Sequence, residues 1–103
     1  MKRLSEEEQQ RYLCDQLELP WIIVDRKLNL CLNLASLQEV HEFLTRLARE
    51  ANEQNHHPDL KVNAKLVEVS LTTHDASDLT ILDFDFARAV EKHYKHIESM
   101  RAI

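Results

Sequence analysis

The 103-residue sequence predicts an α+β fold. It reads as a four-stranded antiparallel sheet with three helices packed on one face, in the order α-β-β-α-β-β-α. Three observations predict this. Leu28, Leu30, Leu32 and Leu34 alternate with Asn29, Cys31 and Asn33, and Val67, Val69, Leu71 and Thr73 alternate with Glu68, Ser70 and Thr72. That period of two marks strands with one face in a core. Two other runs place apolar residues at three- and four-residue steps, the mark of amphipathic helices. The links between neighbouring strands are short, so those strands should pair antiparallel and leave the helices on one face.

Each element has its own local warrant. Ser5 with Glu8 forms a capping box that opens a helix running to about Glu18, with Tyr12, Leu13 and Leu17 as its buried stripe. Pro20 stops it. Trp21-Ile22-Ile23-Val24 is a short β-rich run, and Asp25-Arg26-Lys27 connects it to the leucine-alternating strand as a hairpin. Ser36 and Glu39 cap the second helix, whose stripe is Val40, Phe43, Leu44, Leu47, Ala48 and Ala51 and which runs to about Gln54. Asn55-His56-His57-Pro58 is a turn, followed by a short strand over Asp59–Asn63 and a longer one over Lys65–Thr73. Thr80 with Asp83 caps the last helix, with Ile81, Phe84, Ala87, Val90, Tyr94 and Ile97 as its stripe. The chain holds no glycine, so its turns rely on Asn, Asp and Ser, which tolerate positive φ better than most residues.

Composition narrows the function. The length fits one domain spanning residues 1–103, with a modest core that oligomerisation often supplements. A net charge of −5 argues against direct nucleic-acid binding. Cys14 and Cys31 have no metal-type spacing and read as free thiols in a reducing compartment. The first ten residues lack the apolar core of a signal peptide, and no apolar run nears the ~20 residues that span a bilayer. The expectation is a cytoplasmic protein without a membrane partner.

The chemistry concentrates in His56-His57-Pro58 and in Thr73-His74-Asp75. Imidazole exchanges protons near neutral pH, so three together suit general acid–base work. Strand parity places His74 on the polar face, from which it can return toward His56 and His57. The plainer reading is surface histidines flanking a strand. A zinc site of three imidazoles is a further reading, weakened because adjacent histidines in a turn tend to point apart. His41, His93 and His96 read as part of solvated helix faces. Cys31 reads as a semi-buried filler.

The whole pattern favours the proton-handling reading. His56-His57-Pro58, the spacing to Thr73-His74-Asp75, Leu79-Thr80, Asp83 and Trp21 stand together in a way that resembles the pterin-4a-carbinolamine dehydratase family, also known as the dimerisation cofactor of a homeodomain transcription factor. The resemblance covers nearly the whole chain and is densest over Ala51–Tyr94. It implies dehydration of a 4a-hydroxytetrahydropterin to the quinonoid dihydropterin, with no metal and no cofactor. Carried over position by position, His56, His57 and His74 are catalytic. Asn52, Asp75 and Asp83 bind substrate, with Asp83 at the mouth of the pocket. The family also implies a homo-dimer or homo-tetramer, and the strand bearing Val67, Val69 and Leu71 reads as the edge that pairs across a two-fold axis. The chain departs from the family at Asn52 (usually acidic), Leu60 (often tryptophan), Ala64 (usually an aromatic, read as a ring wall) and Ser77-Asp78 (usually a glycine pair). These departures motivate the alternative of a non-catalytic assembly partner of another protein.

Overall fold

The computed structural model describes residues 2–101. Helix α1 spans Glu6–Gln16; Ser5 Oγ accepts from the Glu8 amide and the Glu8 carboxylate accepts from the Ser5 amide. Glu6, Glu7 and Glu8 fill its first turn, where the helix dipole favours negative charge. The helix ends two residues short of the predicted Glu18. The reason is tertiary: the amides of Glu18 and Leu19 are taken by the carboxylate of Glu91, and Leu17 turns extended. Its buried residues also differ from expectation. Tyr12 and Leu13 are half-buried, whereas the polar Gln9 is buried.

Strands β1 (Ile22–Val24) and β2 (Lys27–Asn33) form the predicted hairpin. Asp25 and Arg26 both adopt positive φ, as a two-residue turn of this hand requires. Helix α2 (Leu37–Gln54) buries Val40, Phe43, Leu47 and Ala51, while Ala48, placed in the stripe from sequence, is exposed. Strands β3 (Asp59–Asn63) and β4 (Leu66–Leu71) form a second hairpin. A 3₁₀ turn over His74–Ala76 leads to α3 (Ile81–Met100), which opens with a capping box of Thr80 and Asp83.

All strand pairs are antiparallel, and the order across the sheet is β1-β2-β4-β3. This corrects the expected pairing edge. The strand with Val67, Val69 and Leu71 lies in the sheet interior, its backbone satisfied on both sides by β2 and β3. The edges are β1 and β3. Leu28, Leu30, Leu32, Val67, Val69 and Leu71 face the helix layer and meet Phe43, Leu47, Phe84, Phe86 and Val90. Helix α3 packs against α1, α2 and β4 together. It therefore buries a wider arc than one stripe, including Phe86 and Glu91, while Ile81 at its start is exposed.

Two polar expectations also change. His93 is half-buried rather than solvated, with Nε2 2.9 Å from the Glu50 carboxylate of α2. Hydrogen bonds from Gln54 and His93 hold the Glu50 carboxyl below the usual range. Cys31 is exposed on the open face of the sheet, and its thiol sits 3.6 Å from the Glu68 carboxylate. Local desolvation and that neighbouring carboxylate push the thiol up, so it is a poor nucleophile at neutral pH.

Candidate active site

Two connections build the site. The first follows α2. Asn55 ends that helix in the left-handed conformation, and the amides of Asn55 and His56 both bond the Ala51 carbonyl. This closure turns the chain out of the helix, and His56, His57 and Pro58 connect it to β3. The second follows β4. Thr73 pairs with Asp78 in an isolated bridge, and the enclosed loop carries His74 and Asp75 on its 3₁₀ turn.

These connections meet in a small cavity of about 240 Å³, lined by Asn55, His56, His57, Thr72, Thr73, His74, Asp75 and Leu82. All three predicted histidines and Asp75 therefore share one pocket. Asn52 is exposed on α2 and is not among its lining residues. Ala64 stands exposed at the β3–β4 turn with φ of 54° and is not among the residues lining the cavity. A larger concavity, about 710 Å³, opens on the sheet face away from the helices, lined by residues such as Asn29, Cys31, Lys61 and Glu68. It contains none of the histidines, so the chemistry selects the smaller cavity.

Asp83 occupies a different place from the one expected. It is fully buried beneath the pocket, not at its mouth. Its Oδ1 lies 2.7 Å from His56 Nε2. Its Oδ2 accepts from the Thr73 hydroxyl (2.8 Å) and from the Thr80 amide (2.9 Å). Thr73 and Thr80 also share a hydroxyl–hydroxyl bond of 2.7 Å. The reason lies in the helix: as the third residue of α3, Asp83 must reach back to the Thr80 amide, which draws its carboxylate inward. Every direction from this carboxylate is thus filled by protein. Its hydrogen-bond partners are His56, Thr73 and Thr80.

The consequence for His56 is specific. A carboxylate that accepts from Nε2–H fixes the tautomer and the orientation of the ring. The ring edge also packs on Phe86 at 6.2 Å between centroids. His56 is buried, and Nε2 is the ring nitrogen held by Asp83. His57 and His74 are exposed at the opening. Thr73 and Thr80, which hold Asp83, were not singled out from sequence as site residues. The signal was present in the Thr80–Asp83 cap, but a cap does not announce that its carboxylate has a second partner 27 residues upstream. Among the described residues, no group of three or more His, Cys, Asp or Glu side chains is arranged to hold a metal ion.

The fold and the pocket define a class: small α+β proteins in which histidines from two loops share a cavity over a buried carboxylate. The family model for pterin 4 alpha carbinolamine dehydratase matches residues 2–93. The chain belongs to this family. A relative from Christiangramia forsetii is 37% identical over 93 residues, covering 88% of this chain and 92% of its own. Another, from Nostoc punctiforme, is 35% identical over 72 residues, covering 70% of this chain and 77% of its own. Each bears the provisional name pterin-4-alpha-carbinolamine dehydratase. Among solved structures, a transcriptional coactivator/pterin dehydratase from Brucella melitensis superposes with a TM-score of 0.81 at 26% identity, over 89% of this chain and 98% of that one. A pterin dehydratase-like RuBisCO assembly factor of the alpha-carboxysome shares the fold, with a TM-score of 0.62 at 19% identity.

Proposed function

We propose that this protein dehydrates a 4a-hydroxytetrahydropterin to the quinonoid dihydropterin. The observation that carries the reading is the buried Asp83–His56 pair beneath a cavity that His57 and His74 also line. The reaction breaks the C4a–OH bond, protonates the departing hydroxyl to water, and removes a ring N–H proton. His56, oriented by Asp83 through Nε2, accepts the ring proton at Nδ1. The exposed His57 and His74 deliver a proton to the hydroxyl. Solvent water returns the proton gained by His56 to the donor histidine and restores the starting protonation. Asp75 lines the same cavity, and its carboxylate would accept from the amino and ring N–H groups of a pterin. The cavity lies below the ~300–1,000 Å³ of drug-sized sites, a size that suits a compact bicyclic ring.

The deciding experiment is a dehydration assay on freshly generated 4a-hydroxytetrahydropterin, run with the wild-type protein and with His56→Ala. Loss of a positioned acid or base lowers turnover on the order of 10²-fold. Equal rates for the two proteins would sink the proposal.

A second reading has its own support. The Brucella melitensis neighbour is described as a coactivator as well as a dehydratase, and Ile22 and Val24 of this chain stand exposed on the open sheet face. A protein without dehydration activity that binds another protein through this face would fit them. The catalytic assay separates the two readings directly.

A further inference from the structure

We infer that Gln9, on the first helix and outside the pocket, is a positioning residue for His74, acting through Asp78. The inference rests on the dehydratase reading above. It begins from a contrast between two of the pocket histidines. His56 is gripped by Asp83 and packed on Phe86. The His74 ring has no hydrogen-bond partner among the described residues, so only the backbone of its loop sets its position.

That loop is held at its base. The Thr73 amide donates to the Asp78 carbonyl (3.2 Å), the Ala76 amide to the Thr73 carbonyl and the Ser77 amide to the His74 carbonyl. Ser77 sits at φ of 53°, a left-handed conformation that is unfavourable for a residue with a β-carbon. Such a loop persists only where its surroundings over-determine it.

Helix α1 supplies the constraint. Gln9 is 6% exposed, an unusual setting for glutamine. Its amide donates to the Leu4 carbonyl (3.1 Å) and to Asp78 Oδ1 (3.2 Å). The same Oδ1 accepts from the Leu79 amide at 2.7 Å, and the Leu4 amide donates to the Leu79 carbonyl at 2.9 Å. The start of α1 is thereby stapled to the loop base by a side chain and by the backbone. Thr73 joins the two halves: its amide closes the His74 loop, and its hydroxyl holds the carboxylate behind His56.

The test is Gln9→Leu, with Tyr12→Leu as control. Tyr12 packs edge-on against Phe84 at 5.4 Å, so its loss loosens α1 but spares the Asp78 tie. In Gln9→Leu, the Ala76 and Ser77 amides should exchange with solvent on the order of tenfold faster, and the His74 ring signals should shift while those of His56 stay. Turnover should fall on the order of tenfold with little change in KM, within the range that a small misplacement of a reacting group produces. Gln9→Glu, which faces Asp78 with a second carboxylate, should behave like Gln9→Leu, and adding Asp78→Asn should restore both loop exchange and ring signals. Unchanged exchange and ring signals in Gln9→Leu would overturn the inference, as would equal changes in Tyr12→Leu. The exchange and ring measurements need no substrate. They therefore test this tie even if the protein dehydrates nothing, and an active enzyme with an unmoved loop refutes the tie alone.

Discussion

At the scale of single residues, the site turns on one carboxylate. Asp83 accepts from His56, Thr73 and Thr80 and is sealed from solvent. Asp83→Asn keeps the volume but gives one side of the group amide hydrogens where acceptors are needed. Either His56 flips to the wrong tautomer or the Thr73 bond is lost. Turnover should drop on the order of 10²-fold, with substrate affinity nearly unchanged, because the ring that contacts the pterin remains in place. Steady-state kinetics beside the imidazole signals of His56 would check this; a KM rise at constant kcat would return Asp83 to a binding role. The histidines themselves were legible in the sequence, because titratable residues at fixed offsets from a proline and a strand carry their chemistry openly. The burial of Asp83 was not. An acidic residue three positions into a helix looks the same from sequence whether it caps only that helix or also reaches a distant imidazole.

At the scale of elements, periodicity, capping boxes and turn residues together located the helices and strands, and long-range polar contacts account for most of the mismatch in their details. Glu91 is the clearest case. It lies on the core side of α3, 5% exposed, and accepts from the amides of Glu18 and Leu19 and from the Trp21 indole. This single carboxylate holds the segment between α1 and β1 and ends α1 early. No local pattern could disclose partners about seventy residues away in sequence. Glu91→Ala strands three donors and should cost about 3 kcal/mol or more, visible as a lower midpoint in urea unfolding followed by far-ultraviolet circular dichroism. A change under 1 kcal/mol would mean that water replaces the carboxylate. Strand order was likewise beyond the alternation of leucines and valines, which reports the buried face of a strand but not its neighbours. β4 therefore looked as suitable for an edge as β3.

At the scale of the whole molecule, the far ends of the helix layer are joined by Arg101, whose guanidinium grips the Glu39 carboxylate with contacts of 2.7 and 2.9 Å. Glu39 also accepts from the Ala35 amide. These bonds, with Arg101 the larger influence, hold the Glu39 carboxyl down at about 2. A carboxyl depressed in the folded state adds stability above its unfolded value, and that stability is lost as pH falls through the folded one. The contribution should therefore disappear between roughly pH 4.5 and 2, and Arg101→Ala should flatten that part of the acid-unfolding profile while lowering stability at neutral pH. An unchanged profile would show the pair to be screened by solvent. The sheet makes a second demand at this scale. All five residues of edge strand β3 are exposed, Leu60 and Val62 among them, and an open apolar edge favours pairing with another strand. We expect a homo-oligomer formed there. A sedimentation mass near the 12.1 kDa of one chain at micromolar concentration would contradict it.

The setting of Trp21 has an optical consequence. It is the chain's single tryptophan, 4% exposed, with its indole donating to Glu91 at 2.9 Å. Intrinsic emission therefore comes from one known place, with no label to attach and no second fluorophore of its kind to subtract. Glu91 lies eight residues along α3 from Asp83, about 12 Å of helix rise. One helix thus carries the carboxylate behind the pocket at one point and the hydrogen-bond partner of the indole at another. If filling the pocket shifts or tilts that helix, the emission wavelength changes. A titration with a stable pterin that does not absorb in the tryptophan emission band would reveal pocket occupancy from light alone, in a cuvette, before any product is formed.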